Sequence, residues 1–128
     1  KAAMLTHCEF CIDISDTLGR HEGFSEEKLI ALVNYRDSDQ FTHLEKLCIQ
    51  FAEEMSRTPA IISDGLREEL LTHLTKGQLM EIAAEIAWEN QRGRLNQGLG
   101  IRPMDTAGGT VCLIPEPGTR SGADDSVA

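Results

Sequence analysis

The sequence predicts an all-α domain. Three observations carry that prediction. Apolar residues recur every three to four positions, Ser or Thr stands ahead of most of these runs, and there is almost no strand-type alternation. At 128 residues the chain is long enough for one domain and too short for two comfortable ones, and a hydrophobic content of 41% supports a core. The net charge of −9 argues against nucleic acid, whose binding is driven by clustered Lys and Arg, and equally against an anionic membrane surface. Nothing approaches the ~18 apolar residues of a spanning helix, and no signal peptide is visible. Because the sequence opens on Lys1 rather than Met, further residues upstream are expected, and targeting information there stays open.

A first helix is predicted from the start to about Leu18, since Ala2 to Leu18 holds neither Gly nor Pro, with Gly19 as its C-terminal cap. Met4, Cys8, Cys11, Ser15 and Leu18 form one face of it. After the break at Gly23-Phe24-Ser25, Ser25 caps a short helix from Glu26 to about Asn34, and Tyr35 to Phe41 is a polar loop. Thr42 and Glu45 make a capping box for the next helix. Its stripe is Leu44, Leu47, Cys48, Phe51, Ala52 and Met55, which places Cys48 in the core. Thr58-Pro59 stops that helix, and Ser63 caps another that carries Leu66, Leu70 and Leu74 inward. Thr75 and Gln78 form a second capping box, opening a long helix with Leu79, Ile82, Ala83, Ile86, Ala87 and Asn90 on one side. That helix is expected to end between Arg94 and Gly98.

Beyond Pro103 the Gly and Pro residues rule out a long helix, and Val111-Cys112-Leu113-Ile114 reads as an extended strap. The division is a helical domain over residues 1–102, with helices upstream of Lys1 left open, and a Gly/Pro-rich tail over residues 103–128. Five helices with short connections give a bundle. So small a stack, with a strongly apolar first helix, is expected to complete its burial by oligomerisation, where Trp88 is a candidate contact.

The chemistry lies in His7-Cys8-Glu9-Phe10-Cys11-Ile12-Asp13-Ile14-Ser15. At about 100° per residue, two cysteines three apart in a helix lie some 60° apart on one face. Thiols held that close exchange a disulfide with each other or with a partner, and a CxxC setting lowers a thiol pKa from about 8.5 to roughly 3.5–7.5. Four cysteines do not make a disulfide scaffold, so the pair is read as redox-active in a reducing, cytoplasmic compartment. Two bland readings stand beside this one: two buried thiols that merely pack, or half of a metal site that would need two more ligands.

The CxxC on a helix resembles the carboxymuconolactone decarboxylase family, on its alkylhydroperoxidase-D-like branch. The likeness continues through Phe41 to Glu53, Leu79 to Ile86, and Asn90, Arg94, Asn96 and Leu99-Gly100-Ile101. The resemblance implies an all-helical fold assembled as dimers, trimers or hexamers. It also implies peroxidase or disulfide reductase activity that needs no cofactor, neither haem nor flavin. Cys8 and Cys11 match the cycling pair, with Cys11 attacking and Cys8 resolving; the partners implied are a peroxide or disulfide substrate and an external dithiol. The branch's proton-relay histidine falls at Ser15, and its acid would lie upstream of Lys1. Ser15 is the third candidate site residue, although an alcohol is no general base at neutral pH. Glu45, Glu85, Glu89, His7 and His21 are the other groups considered. The alternative function is a non-enzymatic oligomeric binding or structural protein on the same fold. True lactone decarboxylation does not depend on a CxxC pair.

Overall fold

A computed structural model describes residues 1–104, which form six helices and, among those residues, no strand. They are α1 (Ala2–Leu5), α2 (Glu9–His21), α3 (Glu26–Ala31), α4 (His43–Ser56), α5 (Asp64–His73) and α6 (Lys76–Leu99). The all-α class holds. The chain from Asp105 on, with the predicted strap and Cys112, lies outside the described residues. No helix among the described residues is long and apolar enough to cross a membrane.

The helix starts are local events, and they fall where the capping residues put them. Ser25, Thr42, Ser63 and Thr75 accept from the backbone N–H groups of Lys28, Glu45, Leu66 and Gln78. Glu45 and Gln78 accept in return from the N–H of Thr42 and Thr75, completing both capping boxes. These bonds satisfy donors that the first turn of a helix leaves without partners.

The predicted stripe of α4 is the spine of the core. Leu47, Phe51 and Ala52 pack with Leu66 and Leu70 of α5, Ile86 of α6 and Ala2 of α1, and Leu44, Cys48, Met55, Leu74, Leu79 and Ile82 close around them. Cys48 is a free, half-buried thiol, and burial followed by the charge of Glu45 pushes it up from its ordinary value. The last helix overruns its expected end and stops at Leu99, where Gly100 takes a left-handed conformation (φ 67°) and Ile101 N–H donates to Asn96 C=O at 2.9 Å.

A further expectation fails. The single first helix is two helices, because the chain turns at His7 (φ 51°) with neither Gly nor Pro to announce it. Thr6 ends α1, its hydroxyl donating back to the carbonyls of Ala2 and Ala3, and Cys8 N–H closes the turn on Ala3 C=O at 3.1 Å. At the other end α2 runs through Gly19 to His21, and the reversal falls at Gly23 (φ 88°).

Residues 35–41 form the expected loop, but Tyr35 within it is not a surface residue. Placed in a polar loop by its neighbours, it is 1% exposed. Its hydroxyl donates to Glu53 Oε2 at 2.9 Å, Arg36 donates to the same oxygen, and Lys1 Nζ lies 3.3 Å from Oε1. Burial pushes the Glu53 carboxyl up, but the bonds from Tyr35 and Arg36 and the charge of Lys1 outweigh it and hold it below its ordinary value. Lys1 Nζ also donates to the carbonyls of Leu32 and Val33, so one buried carboxylate ties α4 to the segment after α3 and to the start of α1.

Candidate functional site

The break at His7 decides the geometry of the cysteine pair. Cys8 is the residue before α2, not a residue within a helix, and its sulfur accepts the N–H of Cys11 at 3.2 Å as the N-cap of that helix. Cys8 and Cys11 form a disulfide, with Cα atoms 5.2 Å apart. The two sulfurs belong to a small apolar cluster with Ala3, flanked by Phe10 and Ile12, separate from the main core. Neither cysteine meets solvent in this conformation: Cys8 is 2% exposed and Cys11 0%. The sequence placed them on one face of a single helix with Met4, Ser15 and Leu18; in the fold they pack with Ala3 of α1, apart from the exposed Ser15 and Leu18.

α6 supplies the polar group that reaches the pair. Asn96 is 7% exposed, and its Nδ2 lies 3.5 Å from Cys8 Sγ and 3.5 Å from Cys11 Sγ. Sequence reasoning saw Asn96 only within a terminal-helix pattern and gave it no role. The signal was present: beyond Ile86 the inward face of α6 turns from aliphatic to Asn90, Gly93 and Asn96, and a polar residue on a buried face needs a partner. Asn90 finds Ser56 Oγ at 2.9 Å and Arg94 finds Thr58 Oγ1 at 2.8 Å, so those two tie α6 to the end of α4.

Gly93 brings α6 this close. A Cβ there would stand 2.3 Å from Thr6 Oγ1 and 2.9 Å from Thr6 Cβ, so the α1–α2 link lies directly on the helix backbone. Gly93→Ala is therefore expected to lower the urea midpoint. Overpacking costs about 1–3 kcal/mol, against ~1 kcal/mol that alanine gains in a helix. Gly98→Ala, which meets nothing within 4 Å, is expected to raise it. Two rising midpoints would contradict the close approach.

Ser15, one turn beyond Cys11, is exposed, and among the described residues it makes no hydrogen bond to either sulfur. It lines a groove of about 400 Å³ with Ala3, Glu85, Trp88, Glu89 and Arg92. Ser15 and Ala3 also line a smaller cavity of about 130 Å³ against α3. Ala3 belongs to the same small cluster as the two cysteines, so both hollows border the cluster that holds the disulfide. Of the acids considered, Glu85 and Glu89 face the larger groove, whereas Glu45 pairs with Lys28 at 2.7 Å on the α3–α4 side. His7 is exposed, its carbonyl accepting from Gln97 Nε2, and His21 is exposed at the end of α2. Among the described residues no group of three or more His, Cys, Asp and Glu side chains is placed to hold a metal ion.

No family model matches the chain. It is 34% identical over 116 residues to YnjA of Escherichia coli K12, an uncharacterized protein, across 91% of this chain and 61% of that one. The chain thus spans about three-fifths of the length of this relative. A second uncharacterized protein, YdfG of Bacillus subtilis 168, is 22% identical over 103 residues, covering 80% of this chain and 70% of its own. Among solved structures the chain matches a protein of unknown function from Agrobacterium tumefaciens for which an AhpD-type antioxidant defence role is suggested. That match has a TM-score of 0.71 at 24% identity, over 80% of this chain and 70% of the other. The likeness establishes the fold: the six helices adopt the AhpD-like arrangement.

Proposed function

We propose that the chain is a thiol-dependent peroxidase or disulfide reductase working through Cys8 and Cys11. The observation that carries this reading is a CxxC disulfide contacted by a buried amide donor within an AhpD-like fold. In the reduced protein one cysteine thiolate attacks a peroxide oxygen. The O–O bond breaks, the departing oxygen leaves as water or alcohol with a proton, and a sulfenic acid remains. The second thiol then attacks that sulfur, expels water and closes the disulfide, so the dithiol gives up two electrons in all. An external dithiol restores it by exchange. This balance needs no haem or flavin. The test is peroxide consumption with dithiothreitol as reductant; a rate no higher than dithiothreitol alone would remove the reading.

A second reading has its own observation. Both sulfurs are covered, as in a disulfide that merely locks the first turn of α2. Turnover requires the sulfurs to be uncovered, whereas a bracing disulfide stays closed. Reduced thiols that react with iodoacetamide only as they titrate near the ordinary ~8.5 would favour the non-enzymatic protein.

The homo-oligomer that the resemblance implies finds its support on the outer face of α6. Met80, Trp88, Leu95 and Leu99 are 72%, 61%, 57% and 67% exposed and lie opposite the buried Ile86 and the half-buried Leu79 and Ile82. A helix apolar on both sides is built to be covered on both. A second copy laid antiparallel about Trp88 would bring Glu85 of one beside Arg92 of the other, so the face complements itself in charge as well. Light scattering is expected to give at least a dimer for the native chain and a smaller species for Trp88→Glu. A monomeric native chain would exclude this contact.

A further inference from the structure

We propose that Asn96 is a positioning residue of the couple: with the start of α2, its side-chain amide holds the negative charge of the reduced pair on Cys8. This rests on the redox reading above and deepens it. The two sulfurs are not equivalent. Cys8 Sγ accepts from the Cys11 N–H at 3.2 Å and from Asn96 Nδ2 at 3.5 Å, whereas Cys11 Sγ has the Asn96 contact. Cys8 also stands at the N-cap of a 13-residue helix, where the unpaired N–H groups present partial positive charge, and Cys11 lies a turn inside it. The remaining walls, Ala3, Phe10 and Ile12, are apolar. In such surroundings an unsupported thiolate is disfavoured, so these donors decide whether and where charge forms.

The same donors bear differently on the two redox states. Disulfide sulfur is a weak acceptor, while a bond from N–H to a thiolate is charge-assisted and roughly twice as strong. Asn96 therefore stabilises the reduced form more than the oxidised one, and the disulfide becomes easier to reduce, as for any couple whose dithiol state is favoured. Charge on Cys8 also makes Cys8 the attacking sulfur and Cys11 the resolving one, the reverse of the order the resemblance implies. The rigid approach of α6 at Gly93, one turn before Asn96, fixes the amide over the pair.

The test compares the native chain with Asn96→Leu, which keeps the shape and loses the amide, and Asn96→Asp, which puts a carboxylate in its place. The other charged or titratable groups on the packed elements are Lys1 by α1, His7 in the link, Glu9, Asp13, Asp16, Arg20 and His21 on α2, and Lys76, Glu81, Glu85, Glu89, Arg92 and Arg94 on α6. They are common to all three proteins and cancel in the comparison. Equilibration with glutathione buffers is expected to show the Asn96→Leu disulfide about tenfold harder to reduce, equivalent to about 30 mV. The pH midpoint for iodoacetamide alkylation of the reduced pair is expected to rise from native to Leu, and further to Asp. Mass mapping of the native protein is expected to find Cys8 labelled ahead of Cys11. Equal constants and midpoints in all three proteins would overturn the role of Asn96, and prior labelling of Cys11 would overturn the placement of charge. Should Asn96→Leu not fold, Asn96→Asp set against the native chain still decides the role of the amide, and the native labelling order the placement of charge. No peroxide enters these measurements, so a protein that shows the ordered shifts but consumes no peroxide loses the proposed activity and keeps this inference.

Discussion

Replacing either cysteine of the pair with serine is expected to lower peroxide turnover at least a hundredfold, and the two variants are expected to fail differently. With Cys11→Ser the attacking sulfur remains, so without added thiol one peroxide is consumed per chain and the reaction stops at a sulfenic acid on Cys8 that dimedone traps. Cys8→Ser leaves the sulfur with fewer donors, and both the first turnover and the trapped species should be lost. The magnitude follows from the chemistry. A serine hydroxyl is almost wholly protonated at neutral pH, and no group among the described residues touches that position as a base. Undiminished turnover in both variants would end the redox reading outright. A dimedone adduct on Cys11 in Cys8→Ser, with none on Cys8 in Cys11→Ser, would keep the chemistry and restore the order implied by the resemblance.

Removing the buried carboxylate of Glu53 is expected to have the largest effect on stability. Its side chain is 11% exposed, that of Lys1 8%, and Tyr35 is 1% exposed. Glu53→Ala would leave a buried ammonium without its counter-charge and a buried phenol without its acceptor, a change that costs about 3–5 kcal/mol and at least about 10 °C in Tm. The effect carries a pH signature. The folded protein holds the Glu53 carboxyl below its ordinary value, so the unfolded chain binds that proton more readily. The stabilisation is therefore complete above the unfolded value of about 4.3 and is lost as pH falls through the folded one. Urea unfolding of native and Glu53→Gln protein should show a gap that is constant between about pH 6 and pH 8 and narrows below about pH 4. A gap that widened on acidification would mean that Glu53 is protonated in the fold.

The parts of this molecule that could be read from sequence are those whose causes lie within one helical turn. Thr42 with Glu45 and Thr75 with Gln78 cap helices because each pair is three residues apart, and the α4 stripe faces the core because its period needs no knowledge of the partner. What escaped depends on distant contacts. Tyr35 is buried because Glu53 reaches it from 18 positions away. Asn96 touches Cys8 across 88 positions, and no local period joins them. The turn at His7 escaped for another reason: a histidine in left-handed conformation carries no signal of the kind that Gly or Pro gives. The candidate site was thus half legible, as two cysteines at informative spacing, while their burial, their inequality and the amide above them came only with the fold.

α6 carries a constraint that its length makes strict. The same uninterrupted rod begins at a capping box, lays Ile86 into the main core, yields its backbone to Thr6 at Gly93 and delivers Asn96 to the sulfurs. These duties are locked in phase, since each added residue advances the helix by about 100° and 1.5 Å. Side chains along this stretch can drift one at a time, but a single insertion or deletion between Ile86 and Asn96 would swing the amide a quarter-turn or more off the pair. The spacing between those two residues is part of the chemistry, as much as the two residues themselves.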